Sequence, residues 1–118
     1  MKLSVLNCGP MARRGALVLA LAAGAPFASL AADAAELARG KELFGKAQPA
    51  CAVCHTMKAA GAEGQVGPVL DELKPDAARV LNALKAGIGV MPSYAGKMSD
   101  QDMRALAAFV AEATGAAK

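Results

Sequence analysis

A single histidine, His55, stands in the 118 residues, and that scarcity removes much chemistry at once. Two histidine ligands to one metal are excluded within the chain. So is a Cys–His hydrolytic pair, because His55 abuts Cys54 and the two cannot face each other on one short turn. Zinc held by Cys51, Cys54 and His55 would need a fourth ligand, usually another Cys or His. The remaining cysteine, Cys8, lies far upstream in a segment expected to be removed. No alternating strand pattern is visible anywhere. That argues against a thiol–disulfide oxidoreductase, whose Cys-x-x-Cys follows a strand in a βαβ setting. Internal repeats are absent. So is an uninterrupted run of the roughly twenty apolar residues a membrane span needs: the greasiest stretch, Gly15 to Leu30, is divided by Gly24 and Pro26.

That stretch has another reading. Lys2, Arg13 and Arg14 precede it, and small residues follow as Ser29-Leu30-Ala31 or Ala32-Asp33-Ala34. Basic head, short apolar core and small-residue exit make a secretory signal. Cleavage is expected after residue 31, or as late as 34, leaving one domain over residues 32–118. Met11 is an alternative start. Arg13-Arg14 alone says little about the export route. The formal charge of +3 belongs to the leader: thirteen Lys and Arg less these three leave ten, against ten Asp and Glu. The basic balance therefore gives no reason to expect nucleic acid, and steering of partners must come from local patches.

Beyond the leader the pattern is helical. Asp33 can cap a helix running to Phe44, with Glu36 at capping-box spacing and Leu37, Gly40 and Phe44 on one face. Gly40 in mid-helix costs about 1 kcal/mol against Ala, which asks for a packing reason. Residues 45–50 are a connector, and 56–69 a loop with Gly67-Pro68 fixing a turn. Leu70 to Leu73 suit a short helical turn. Pro75 opens a helix to about Lys85, with Asp76 in its first turn, Val80, Leu81 and Leu84 on its apolar side and Gly87 ending it. Residues 87–96 form a loop unusually apolar for exposed chain. Ser99 caps the last helix, whose face is Met103, Leu106, Phe109 and Val110; Ala117-Lys118 fray.

Cys51-Ala52-Val53-Cys54-His55 carries the chemistry. Two thiols and an adjacent imidazole at this spacing match c-type haem attachment: each thiol adds to one vinyl group and the histidine binds iron axially. In a domain of this size the haem would also serve as the staple that a small core lacks. A second axial donor is then wanted, and a methionine thioether raises the potential of a His-ligated haem. Met57 is two residues past His55 and cannot reach the opposite face. Met103 has a core position and Met98 stands at a helix entrance. Met91, thirty-six residues beyond His55 and followed by Pro92, has no periodic face to fill and is the strongest candidate.

With these residues in view, the chain resembles a class I c-type cytochrome, monohaem and His/Met-ligated, of the small bacterial kind. The resemblance rests on Gly40-x-x-x-Phe44, Cys51-x-x-Cys54-His55, Gly67-Pro68-x-Leu70, Gly87-Ile-Gly-Val-Met91-Pro92-Ser-Tyr94, and Ser99-Asp100 leading into Leu106-Ala-Ala-Phe109-Val110. It implies an all-α small cytochrome c fold, three to five helices around one covalently bound haem c. It implies thioethers at Cys51 and Cys54, iron between His55 and Met91, and a Pro68 carbonyl accepting the His55 Nδ1 hydrogen. Leu70 and Tyr94 would pack on the haem. The first and last helices would cross at Gly40 and Phe44 against Leu106 and Phe109.

Two departures qualify it. Phe44 precedes Cys51 by seven residues, where many relatives have four, so an insertion falls within 45–49. Lys46 and Lys58 flank the motif sparsely, so a strongly basic docking face does not carry over. The resemblance implies a monomeric periplasmic carrier of single electrons, without catalysis or a small-molecule substrate. Its donor and acceptor would be redox proteins: a dehydrogenase, a membrane cytochrome complex or an oxidase. The rivals are a haem-based ligand binder or peroxidase-like enzyme, which the Met91 loop disfavours by lacking a second His or Arg, and a subunit of a larger complex.

Overall fold

The computed structural model describes residues 32–116. The leader, its cleavage site at residue 31, Cys8 and the terminal Ala117-Lys118 lie outside them. Helix α1 spans Ala34–Lys46, α2 Cys51–Cys54, α3 Leu70–Leu73, α4 Ala77–Ala86 and α5 Asp100–Thr114. Five helices in a small, largely helical fold match the expected class.

The long helices start where side chains can satisfy free amides. Asp33 accepts from the Glu36 amide at 2.7 Å, and Ser99 from that of Asp102 at 3.0 Å. Asp76 accepts from the Arg79 amide at 2.7 Å, so it caps α4 instead of standing inside its first turn. Pro75 accordingly precedes the helix. Helix α1 also runs two residues past the expected Phe44. Gly45 does not end it, and the Lys46 ammonium lies 2.9 Å from Glu42, one turn back.

The core is the crossing of α1 and α5. Leu43 and Phe44 on one side meet Met103, Leu106, Phe109 and Val110 on the other, all buried. The Phe44 and Phe109 rings pack edge to face at 6.3 Å and 72°, a favoured aromatic geometry. Gly40 supplies the close approach: a Cβ there would run into the Ala105 carbonyl and lie 2.5 Å from Phe109 Cβ. The helix-propensity cost of this glycine is therefore the condition for the crossing. Arg39 clasps the same junction from outside. Its Nε lies 2.9 Å and its Nη2 3.1 Å from the Asp102 carboxylate, which is held below the usual carboxylate range by that guanidinium.

Gly40 and Gly45 give opposite expectations for one substitution. Gly40→Ala should destabilise the folded protein by about 1–3 kcal/mol, because backbone must move to admit the methyl. Gly45→Ala, with nothing within 4 Å of its Cβ position, should be neutral or stabilising by up to about 1 kcal/mol. Denaturant unfolding of the two variants beside the parent checks the sign of each.

One expectation is corrected. Residues 56–69 are not all loop, and the reading of no strands was wrong by one small ribbon. β1 (Thr56–Met57) pairs antiparallel with β2 (Ala62–Glu63) around a 3₁₀ turn at Lys58–Ala60. Strands of two residues are too short to show alternation, so periodicity cannot find them. Among the described residues no helix is long and apolar enough to cross a membrane.

Candidate metal centre

The short helix α2 gives the Cys51–His55 stretch its shape. The His55 amide donates to the Cys51 carbonyl at 2.9 Å, closing one turn that sets both thiols on it. Cys51 is buried, Cys54 and His55 are half-buried, and the two cysteines are not joined to each other. Burial pushes the Cys51 thiol up to about 11. A thiol so protonated at neutral pH is the opposite of the lowered-pKa nucleophile that dithiol redox enzymes use. Among the described residues, no three His, Cys, Asp or Glu converge as a metal-binding group.

The segment after β2 wraps this turn. The amides of Val66 and Gly67 donate to the Cys54 carbonyl at 3.1 and 2.8 Å. His55 Nδ1 lies 2.9 Å from the Pro68 carbonyl oxygen. A carbonyl only accepts, so Nδ1 carries the hydrogen and Nε2 keeps its lone pair for a ligand. Such a partner fixes both the tautomer and the plane of the ring. Gly67 lies flat against that ring: a Cβ there would be 2.5 Å from His55 Cε1 and 2.8 Å from Nδ1. Gly64 presses equally on the backbone, its Cβ position 2.5 Å from the Cys54 carbonyl carbon, while its own carbonyl accepts the Thr56 hydroxyl at 2.9 Å.

Gly67→Ala should turn the imidazole and destabilise the fold by about 1–3 kcal/mol, as overpacking against an immobile group does. Denaturant unfolding reads the stability change. The ring resonances of His55 by NMR read the displacement, and unchanged resonances would contradict the contact.

All seven residues singled out from the sequence line one cavity of about 440 Å³: Cys51, Cys54, His55, Pro68, Leu70, Met91 and Tyr94. Phe44, Val80, Leu84, Leu106 and Val110 form its apolar floor. Met91 is the one methionine in the lining. Met57 is fully buried in β1, Met103 sits in the α1–α5 core, and Met98 packs at the edge of that core. A volume in the range of cofactor pockets, a near-continuous apolar wall, two thiols and two soft or borderline iron donors suit a flat apolar macrocycle bound through thioethers. A second, larger depression of about 640 Å³ between α1, α4 and α5 is lined mainly by alanines and carries no Cys, His or Met.

Three contributors had no signal in the sequence. Arg79 reaches the cavity lining from the first turn of α4. Gly64 touches the Cys51–His55 turn only because the β1–β2 ribbon folds back on it. Pro49 offers its carbonyl to the Tyr94 hydroxyl at 2.6 Å, where the resemblance implied only ring packing for Tyr94. Burial pushes that phenol up to about 12, with the nearby Cys51 and Cys54 thiols adding to the effect, so it stays a donor.

Residues 35–110 match the family described as cytochrome C oxidase, cbb3-type, subunit III. The chain belongs to that family. The fold also matches the crystal structure of the c-type cytochrome SorU from Sinorhizobium meliloti, with a TM-score of 0.68 and 45% sequence identity, over 70% of this chain and 95% of that one. No curated protein matches the sequence. This member of the subunit III family thus has a c-type-cytochrome-related fold, and its relations lie with electron-carrying proteins and oxidase subunits instead of with enzymes that act alone.

Proposed function

We propose that the chain is a periplasmic carrier of single electrons, with one haem c bound through Cys51 and Cys54 and its iron held by His55 and Met91. The observation that carries this reading is the shared cavity: both thiols, the imidazole whose Nε2 is free, and one methionine out of four described line the same apolar space. The haem would supply the one-electron couple. The chain's own part would be to hold the iron through His55 and Met91, exclude water with Leu70, Leu84, Leu106 and Val110, and keep the ligands nearly fixed so that little reorganises on transfer. Residues 1–31 would be the cleaved export signal, with folding and haem attachment following export.

Partners would be redox proteins docking weakly over a small interface. The subunit III match favours one version of this reading, in which the protein serves an oxidase complex as a member or immediate donor. The electron-transfer role is the same in both versions.

The test is production of the full chain in a host equipped for c-type haem attachment. Expected are a periplasmic product lacking the leader by N-terminal sequencing, and a haem that stays on the polypeptide under denaturing electrophoresis. A haem released by denaturation would overturn the thioether assignment. Full-length protein retained in the inner membrane would overturn the signal assignment.

A further inference from the structure

The loop that carries Met91 is fastened almost wholly to its own helix. Ile88 and Met91 exchange backbone hydrogen bonds at 3.1 and 2.9 Å, and the Tyr94 amide donates to the Leu84 carbonyl of α4 at 2.7 Å. The Ser93 hydroxyl donates to the Lys85 carbonyl at 2.6 Å. Each of these ties the loop to α4 or to itself. Ile88 and Val90, which precede Met91, line the cavity beside it.

From this loop to the chain around Cys51 the Tyr94 side chain makes the crossing, interacting with the Cys51 thiol and hydrogen-bonding the connector before it. The connector bond runs from the Tyr94 hydroxyl to the Pro49 carbonyl, 2.6 Å long and joining residues 45 apart. Tyr94 is 4% exposed, so the bond holds a buried side chain to a connector at the surface. The Tyr94 carbonyl also accepts the amides of Lys97 and Met98, both at 3.0 Å, so the residue that reaches across the cavity also closes the far end of the loop. The accepting Pro49 carbonyl belongs to the connector that leads directly into α2.

We propose that Tyr94 is a positioning residue for Met91: its hydroxyl latches the Met91 loop to the connector entering Cys51. Both walls of the cavity then present the methionine, where α4 alone would leave it free to swing outward. The proposal rests on the His/Met reading above, and its physical content is separate. It concerns how much the loop must open before Met91 leaves the iron, and which bond opposes that opening.

The experiment uses the haem-loaded protein, titrated in the ferric state with imidazole while the methionine–iron absorption band is followed. Tyr94→Phe keeps the ring and removes only the hydroxyl, and with it the bond to the Pro49 carbonyl. Imidazole should displace Met91 from this variant at a concentration about fivefold or more lower than from the parent. Ser93→Ala, which removes a loop bond that does not cross the cavity, should shift the midpoint clearly less. Equal midpoints for Tyr94→Phe and the parent would overturn the latch, as would equal shifts in the two variants. A parent protein without the band would instead overturn the His/Met assignment on which the proposal stands.

A second measurement needs no substitution. In the parent, the amides of Tyr94 and Met98 should exchange hydrogen at opening free energies close to that of the His55 amide, because the latch makes them one cooperative unit. Loop amides exchanging a hundredfold faster than His55 would show that the loop opens alone, against the proposal.

Discussion

Replacing Cys51 and Cys54 together by serine is expected to leave a chain that does not hold its tertiary structure at room temperature. The cavity is the reason. An apolar space of about 440 Å³ left without an occupant must stay unfilled or admit water against its side chains, and either costs a large part of the ~5–15 kcal/mol that stabilises an ordinary small domain. Without an occupant the walls must collapse or separate, and the walls are the core: Phe44, Leu70, Leu84, Leu106 and Val110 line the cavity and belong to the buried cluster. The helices cannot stand unaided, since α1 has 13 residues and α5 15, close to the length at which isolated helices are marginal in water. Far-UV circular dichroism of the exported variant should therefore show most helical signal gone and no cooperative thermal transition. Parent-like helicity with a sharp transition would show that the core closes on itself, against the role given to the occupant.

Replacing Met91 by alanine is expected to leave the fold standing and change the metal. Met91 is only partly buried, and its loop is held by backbone bonds and by Tyr94, none of which uses the thioether. The haem should remain attached through Cys51 and Cys54 and ligated by His55. The open position would take water or an added ligand, and the methionine–iron band should vanish. Axial ligands govern a span of about 0.8 V in haem proteins, and loss of the thioether should lower the midpoint by on the order of 0.2 V. Potentiometric titration of parent and variant reads that shift. A band that survived Met91→Ala would move the axial role to Met98, the other methionine near the edge of the core, and the cavity lining would then need another explanation.

The helix caps were legible because capping is local. Asp33, Asp76 and Ser99 each bond an amide three residues ahead, so a reader needs only a few adjacent letters. Asp76 stands two positions earlier in its helix than the sequence suggests, at the cap and not in the first turn, because Pro75 suits the first residue of a helix as well as the residue before its cap. The packing role of Gly40 was legible as an anomaly: a glycine in mid-pattern needs a neighbour, and α5 is that neighbour. The β1–β2 ribbon was illegible because two-residue strands are stabilised by what they fold onto and not by their own pattern.

The Cys51–His55 stretch and the helix faces needed no coordinates, because each is a statement about residues within a turn or two of one another. The sequence determined that the chain has one imidazole, two thiols in its main domain and helices with one apolar side apiece. Tertiary structure decided what stands across from them. It brought Met91 into the cavity of Cys51 and His55 while placing Met57 and Met103 elsewhere, it laid Gly64 and Gly67 against the Cys51–His55 turn, and it set the Tyr94 hydroxyl on the Pro49 carbonyl. Those contacts join residues far apart in the chain, and only the packing of α1, α4 and α5 around a shared apolar space fixes which of them meet.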